Sequence, residues 1–367
     1  MLIFRYICRE VITVVMAILL IMLIITLMSQ AAGYLGGIAH GAVAVSFFGK
    51  LMLINIPFLV SYILPFAFYF GLLLAYGRIY ADSEMVVLQA SGFSNRHLFS
   101  YTMILAGIVM LIVGYLIFLV NPTLLAAKGK ILHGSKTNVL QTIVPGQFRV
   151  LNDGKLILYV SKANHNRTNL QDIFLAELNQ HGKKPTDDQW SVNFVSSAQQ
   201  VLQDNDYPYL QTKNGYQYKG IPGQREYSIL KYKDYNYLLK DQVESIKYNN
   251  LDGISTIALF HRAHDLASLS ELEWRISLVI QVIILTLFAI PLSRVQPRQG
   301  RYAKFLPAVL FYLIYVNVLF AAKYLLENGK INMIIGLWWA HLLMLFIVMI
   351  YYTKVYRWLT GKSNNEA

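Results

Sequence analysis

The chain has 367 residues, 56% of them apolar and only 14% charged, with a mean hydropathy of +0.43. Soluble globular proteins average about 25% charged residues, so this composition excludes a soluble protein and indicates an integral membrane one. The formal net charge of +12 does not mark a nucleic-acid surface, because residues 122–275 carry only +3 and the remainder +9; the excess sits at the ends of apolar runs, not on one soluble face. The single cysteine, Cys8, excludes an internal disulfide.

Residues 11–28 predict the first span, uncharged throughout and preceded by Arg5 and Arg9. The run is too long for a signal-peptide core and lacks an A-x-A cleavage pattern, so it reads as a retained helix. Residues 51–76 predict the second span. At 1.5 Å per residue it would be about 39 Å long, so it should tilt or kink, with Pro57 and Pro65 as the kink sites. Residues 78–94, RIYADSEMVVLQASGFS, separate it from the third span. Asp82 and Ser83 are helix N-cap types, and Glu84 would lie in the first turn, where the helix dipole favours it. Met85, Val86, Leu88 and Ala90 continue a short helix, Gly92 is a C-terminal stop, and Ser94 could cap the next helix. A short capped helix carrying acidic groups between spans has the shape of a docking element; a solvated connector is the alternative. Residues 101–120 predict the third span, where Gly107 and Gly114 suit close helix packing.

A polar insertion follows, residues 121–256. Short runs rich in β-branched and aromatic residues alternate with turn residues: 139–150, 155–163, 170–179, 189–196, 199–204, 207–213, 215–219 and 226–239. Asn152-Asp153-Gly154 and Asn214-Gly215 are hairpin signals. The pattern predicts an all-β sandwich or jelly roll. Its interior is either an ordinary core or an apolar groove for lipid chains. Residues 257–275 predict a connecting helix. His261 and His264 have metal-ligand spacing, but no third or fourth ligand can be placed, so no metal site is predicted.

Three further spans are predicted at 276–292, 305–322 and 333–352. Gln281, Asn317 and His341 lie inside them, and Lys323 stands at the far end of the fifth. Basic residues cluster at one set of membrane ends, including Arg5, Arg9, Arg78, Arg96, Arg294 and Arg298. By the positive-inside rule both termini are cytoplasmic and the β insertion lies outside. The expected architecture is an α-helical membrane protein of six transmembrane helices, three plus three, around an inserted all-β domain: 1–120, 121–256, 257–275 and 276–367. Phosphate-loop, zinc-protease and nucleophile-elbow motifs are absent, so no catalytic residue or cofactor is expected. Two readings remain. One is a transport subunit powered by a separate ATPase. The other is a non-transporting membrane scaffold or sensor with an external ligand-binding domain.

Residues 78–94 resemble the cytoplasmic signature of the lipopolysaccharide export permeases of the LptF/LptG family. Residues 270–311 are similar to the LptF branch in particular, through the Glu-Leu-x-Trp-Arg-Ile opening and the Pro-Arg-Gln-Gly-Arg turn. Pro145-Gly146-Gln147-Phe148 and Ile173-Phe174-Leu175-Ala176-Glu177 resemble strands of that family's periplasmic jelly roll. The resemblance implies an inner-membrane permease that pairs with a partner permease, LptG. It also implies an LptB ATPase dimer, LptC and an LptA-type periplasmic bridge as partners, with lipopolysaccharide as substrate. On this reading residues 78–94 form the coupling helix. Arg78, Tyr80, Asp82, Ser83, Glu84, Met85, Leu88 and Gly92 make the ATPase interface; Glu84 would pair with a basic residue of the ATPase, and Tyr80, Met85 and Leu88 would fill its groove. Lys323 would meet a lipid phosphate. The outer end of the first span, Ser29 to Tyr34, carries no basic residue where members of the family often do. A lipoprotein-releasing permease has similar topology but not these motifs.

Overall fold

The computed structural model describes residues 2–39, 45–137, 145–151, 156–164, 169–179, 189–202, 208–221, 223–238, 251–294 and 304–359. The hairpin signal at 152–154 and the basic turn at 297–301 lie outside them. The chain divides into a unit made of 1–29, 53–127 and 249–367 and a unit made of 30–52 and 128–248.

The first unit is helical, and three of its helices continue into residues 30–39, 48–52 and 128–137 of the second. Helix α1 runs Leu2–Ala39 and α2 runs Phe48–Ala81, with Pro57 and Pro65 inside it. A short α3, Glu84–Ala90, leads to α4, Asn95–Tyr115. A π-helical segment at Leu116–Val120 joins α4 to α5, Asn121–Thr137. After the β insertion come α6, Thr256–His261, α7, Leu266–Leu292, α8, Phe305–Glu327, and α9, Trp338–Leu359. Among the described residues five helical stretches are long and apolar enough to cross a membrane, with a shorter apolar helix at Trp338–Thr353. Apolar groups all round a helix are what a lipid or core environment selects. The helix expected over 257–275 is interrupted: Asp265 accepts from Ser268 N at 3.2 Å and starts α7 afresh. His261 therefore ends one helix and His264 lies in the turn beyond it, so the pair shares no helix face.

Helix α7 is the hub. Of its most apolar window 78% is buried within the chain, against 11% for α1, so α1 leaves most of its surface for lipid or another protein. Close crossing of α1 and α2 occurs at Gly71, where a Cβ would overlap Val15. Gly107 faces open space, and Gly114 makes only ordinary contact with Phe118 and Val279, so the tight packing expected there is found at Gly71 instead. Within the π segment the Phe118 carbonyl accepts a hydrogen bond from Thr256 at 3.0 Å.

In the second unit six antiparallel strands pair in sequence order. They are β1 Phe148–Leu151, β2 Leu156–Ala163, β3 Asn169–Asn179, β4 Gln189–Leu202, β5 Pro208–Gly220 and β6 Tyr227–Leu238. Leu158, Val160, Leu170, Ile173, Leu175 and Val195 fill the inward face with other buried side chains. On the other face one register row crosses every strand, Phe148–Tyr159–Phe174–Phe194–Tyr216–Lys231. Neighbouring rings lie 4.7 Å (Phe148–Tyr159) and 5.4 Å (Phe174–Phe194) apart, as strand spacing dictates. An open trough of about 470 Å³ lies against these rings.

The Asn214-Gly215 hairpin expected from sequence is not a turn. Both residues lie within β5, and Asn214 takes a left-handed φ of 52°. Asp172 does the same in β3 at 50°. Together with Ser161 and Ser196 they drop out of the pairing ladder in one row. Inward-facing positions then fall three apart instead of two: Leu170 and Ile173, Val195 and Ala198, Thr212 and Gly215. Gly215 is required there, because a Cβ would overlap the Tyr232 ring.

Candidate functional site

The turn between α2 and α4 is built as a tethered element. Ser83 holds the N-cap position of α3 with a left-handed φ of 61° and makes no side-chain cap. The cap expected of Ser83 is thus replaced by a backbone reversal. Gly92, at φ 93°, closes the other end: its N–H reaches Gln89 O at 3.0 Å, and Phe93 N–H reaches Leu88 O at 3.1 Å. Ser94 then caps α4 and forms a reciprocal box with His97.

The charges of this turn converge. Arg78 Nη1 lies 3.0 Å from Glu10 Oε1 of α1, and the Arg78 guanidinium lies 3.9 Å from Asp82 and 4.0 Å from Glu84. Tyr6 Oη donates to the Glu84 carboxylate. Two α1 residues, Tyr6 and Glu10, therefore fix the turn's acidic residue and its arginine. Glu84 still leaves 40% of its side chain exposed. Met85 faces the other way, fully buried in the bundle core, with Tyr80 and Leu88 packed partly against that core. The large apolar side chains α3 presents outward are Val86 and Val87, 61% and 70% exposed, with Gln89 and Ala90 exposed beside them. The structure thus brings together Arg78, Asp82 and Glu84, and it turns Tyr80, Met85 and Leu88 inward. Nearby in sequence to the basic turn at 297–301, Lys304 donates to Arg294 O at 2.7 Å. Burial, helped by the Arg294 cation, pushes the Lys304 ammonium below the usual lysine range.

At the start of α7 lies a buried ion cluster. Arg275 spends all five of its N–H directions within the chain. Nε donates to Glu271 Oε1 at 3.1 Å, Nη1 to Ile254 O and Thr256 Oγ1, and Nη2 to Leu251 O and Asp252 O. The second oxygen of Glu271 takes Lys323 Nζ at 2.8 Å. Lys323 also lies 3.9 Å from Glu327 and 5.2 Å over the Trp274 ring. Ser270 Oγ holds Glu327 Oε1 at 3.1 Å, and Trp274 Nε1 donates to Tyr62 Oη at 3.2 Å. The Lys323 side chain is 18% exposed and that of Glu271 6%. Lys323 therefore stands ion-paired within its own chain.

Glu273 is used differently. Leu337 N–H donates to its carboxylate at 2.7 Å, and a Cβ at Gly336, where φ is 43°, would overlap it. Residues 333–337 form turns at this contact, so α9 begins at Trp338 and not at 333 as expected. Inside the bundle His341 bridges Tyr315 Oη at 2.7 Å and Ser277 Oγ at 2.9 Å, and Asn317 bonds back to Leu313 O. In the sequence Glu271 and Arg275 stand in the Glu-Leu-x-Trp-Arg-Ile motif. Their spacing of four, placing opposite charges on one helix face beside an apolar run, was the available signal.

A sequence model of the lipopolysaccharide export system permease LptF/LptG family matches residues 5–354. The chain is 28% identical, over 353 residues, to the lipopolysaccharide export system permease protein LptF of Escherichia coli strain K12, covering 95% of this chain and 94% of that protein. The LptF proteins of Escherichia coli O157:H7 and Shigella flexneri match to the same extent.

Proposed function

Because the chain belongs to the LptF/LptG family of lipopolysaccharide export permeases, we propose that it is the LptF-type membrane subunit of a transporter. It extracts lipopolysaccharide from the inner membrane and passes it by way of its β domain toward a periplasmic bridge. The observation that carries this reading is the family match across both the helical bundle and the β insertion. A separate ATPase dimer of the LptB type drives the cycle, a second permease of the LptG type completes the membrane pair, and LptC joins them. The termini and the turn at 78–94 face the cytoplasm and the β domain faces the periplasm, in accord with the placement of basic residues.

The tethered turn is the coupling element. Glu84 presents its exposed side to a cation of the ATPase, and Val86 and Val87 enter the ATPase's groove in place of the inward-facing Met85. Arg78 and Asp82 position Glu84, while Ser83 and Gly92 shape the backbone. Motion of the ATPase reaches α1 through Tyr6 and Glu10. Lys323, at the opposite end of α8, meets a substrate phosphate.

The test is a mild-detergent purification of the tagged native protein, followed by mass spectrometry of bound proteins and lipids. Recovery of a second permease, an ATPase and lipopolysaccharide is expected. Recovery of the chain with a sensor-type partner, without ATPase and with bulk phospholipid only, would replace this reading with the scaffold one.

A further inference from the structure

We propose that Glu271 is the residue that sets how tightly this permease grips an anionic substrate. It does so by competing with the substrate's phosphate for Lys323. The inference rests on the reading of Lys323 as a phosphate contact and assigns a role to a different residue.

Four observations lead there. Glu271 is shared, one oxygen to Arg275 and the other to Lys323. Its two cations are not equivalent. Arg275 has all five N–H directions committed, four of them to groups in 251–256, so it is a fixed strut with no donor left for a ligand. Lys323 carries three donors, of which Glu271 takes one at short range while Glu327 stands 3.9 Å away. It is also the more exposed member of its pair with Glu271. An arriving phosphate can engage Lys323 but not Arg275.

The charges of the two pairs balance: Glu271 and Glu327 against Arg275 and Lys323. A phosphate that approached this neutral cluster would meet both carboxylates as well as the ammonium. It binds more tightly the further it draws Lys323 away from Glu271. Glu271 tolerates the displacement because Arg275 continues to neutralise it, so no buried carboxylate is left unpaired. When the phosphate leaves, Glu271 reclaims Lys323. The carboxylate therefore weakens phosphate binding and speeds release, which a transporter needs and a storage protein does not.

The readout is the ratio of dissociation constants of the detergent-solubilised full transporter complex for dephosphorylated and for native lipopolysaccharide. K323M should bring the ratio close to one. E271Q should raise it about tenfold, at the low end of coupling measured for close charge pairs, and should slow transport while tightening binding. A purely structural role for Glu271 predicts weaker binding of both lipids and no rise in the ratio. If K323M collapses the ratio and E271Q leaves it unchanged or lowers it, the competition role of Glu271 is wrong while the Lys323 contact stands. If K323M leaves the ratio untouched, the Lys323 reading fails first. Should E271Q not assemble, E271D keeps the charge beside Arg275 but shortens the reach to Lys323. It should raise the ratio by a smaller factor, and no rise would overturn the proposal.

Discussion

At the scale of single residues, the two charged clusters differ in what they can tolerate. Glu84 is part-exposed, so its contacts are solvent-screened and its loss should cost the fold little. E84A is expected to reduce ATPase recovered with the purified permease while leaving the thermal unfolding midpoint unchanged. Y6F should do the same more weakly, since Arg78 remains near Glu84. Full ATPase recovery in E84A would remove Glu84 from the coupling interface. Arg275 is the opposite case: buried, with five acceptors. R275M should destabilise the helical unit by about 3–5 kcal/mol, because it leaves three carbonyls and one oxygen of the Glu271 carboxylate without the Arg275 donors. Unfolding in detergent followed by circular dichroism measures it. The sequence announced the first cluster, since Asp82, Glu84 and Gly92 are local turn chemistry. It did not announce that Tyr6 and Glu10 of α1 tether the turn. That contact joins residues 78 positions apart, beyond the reach of any local pattern.

Among the elements, α3 and the sheet show where periodic reading succeeds and where it slips. Helix α3 was legible as a short helix between stop signals, but seven residues are too few for a hydrophobic period to say which face is buried. Met85 packs inward and Val87 outward. V87D should therefore weaken ATPase association and change stability by no more than about 0.5 kcal/mol, as surface substitutions do. M85A should cost about 2–5 kcal/mol by opening a cavity in the core. Co-purification and thermal unfolding, measured on both variants, separate the two effects, and the reverse pattern would invert the assigned face. In the sheet, the left-handed residues Asp172 and Asn214 reset the alternation of β3 and β5, and the inward positions of β4 slip with them. A period-two reading breaks at that row, which is why β4 and β5 each read as two short strands. The strong turn pair Asn214-Gly215 serves a kink for the same backbone reason that it would serve a hairpin: asparagine tolerates a positive φ. G215A should destabilise the β unit by about 1–3 kcal/mol, the usual cost of forced overpacking, here against Tyr232. Limited proteolysis of the β unit reports it, and an unchanged cleavage rate would mean that the ring moves aside freely.

For the whole molecule, spans and insertion were legible because membrane burial demands long apolar runs and a β domain does not. Helix ends were not: α1, α2 and the helix through the π segment all extend past the apolar run, since helical hydrogen bonding continues until a cap or a break intervenes. The hydrogen bond between Thr256 and Phe118 links chain positions 138 apart, and Arg275 holds four groups of 251–256, Thr256 among them. The helical unit thus joins the two stretches of chain that flank the β insertion. Closing a loop costs only about 0.6 kcal/mol more for each doubling of its length, and here the bundle fixes the closure itself. An insertion whose two ends are held together in this way is free to lengthen or shorten without altering the contacts that hold them.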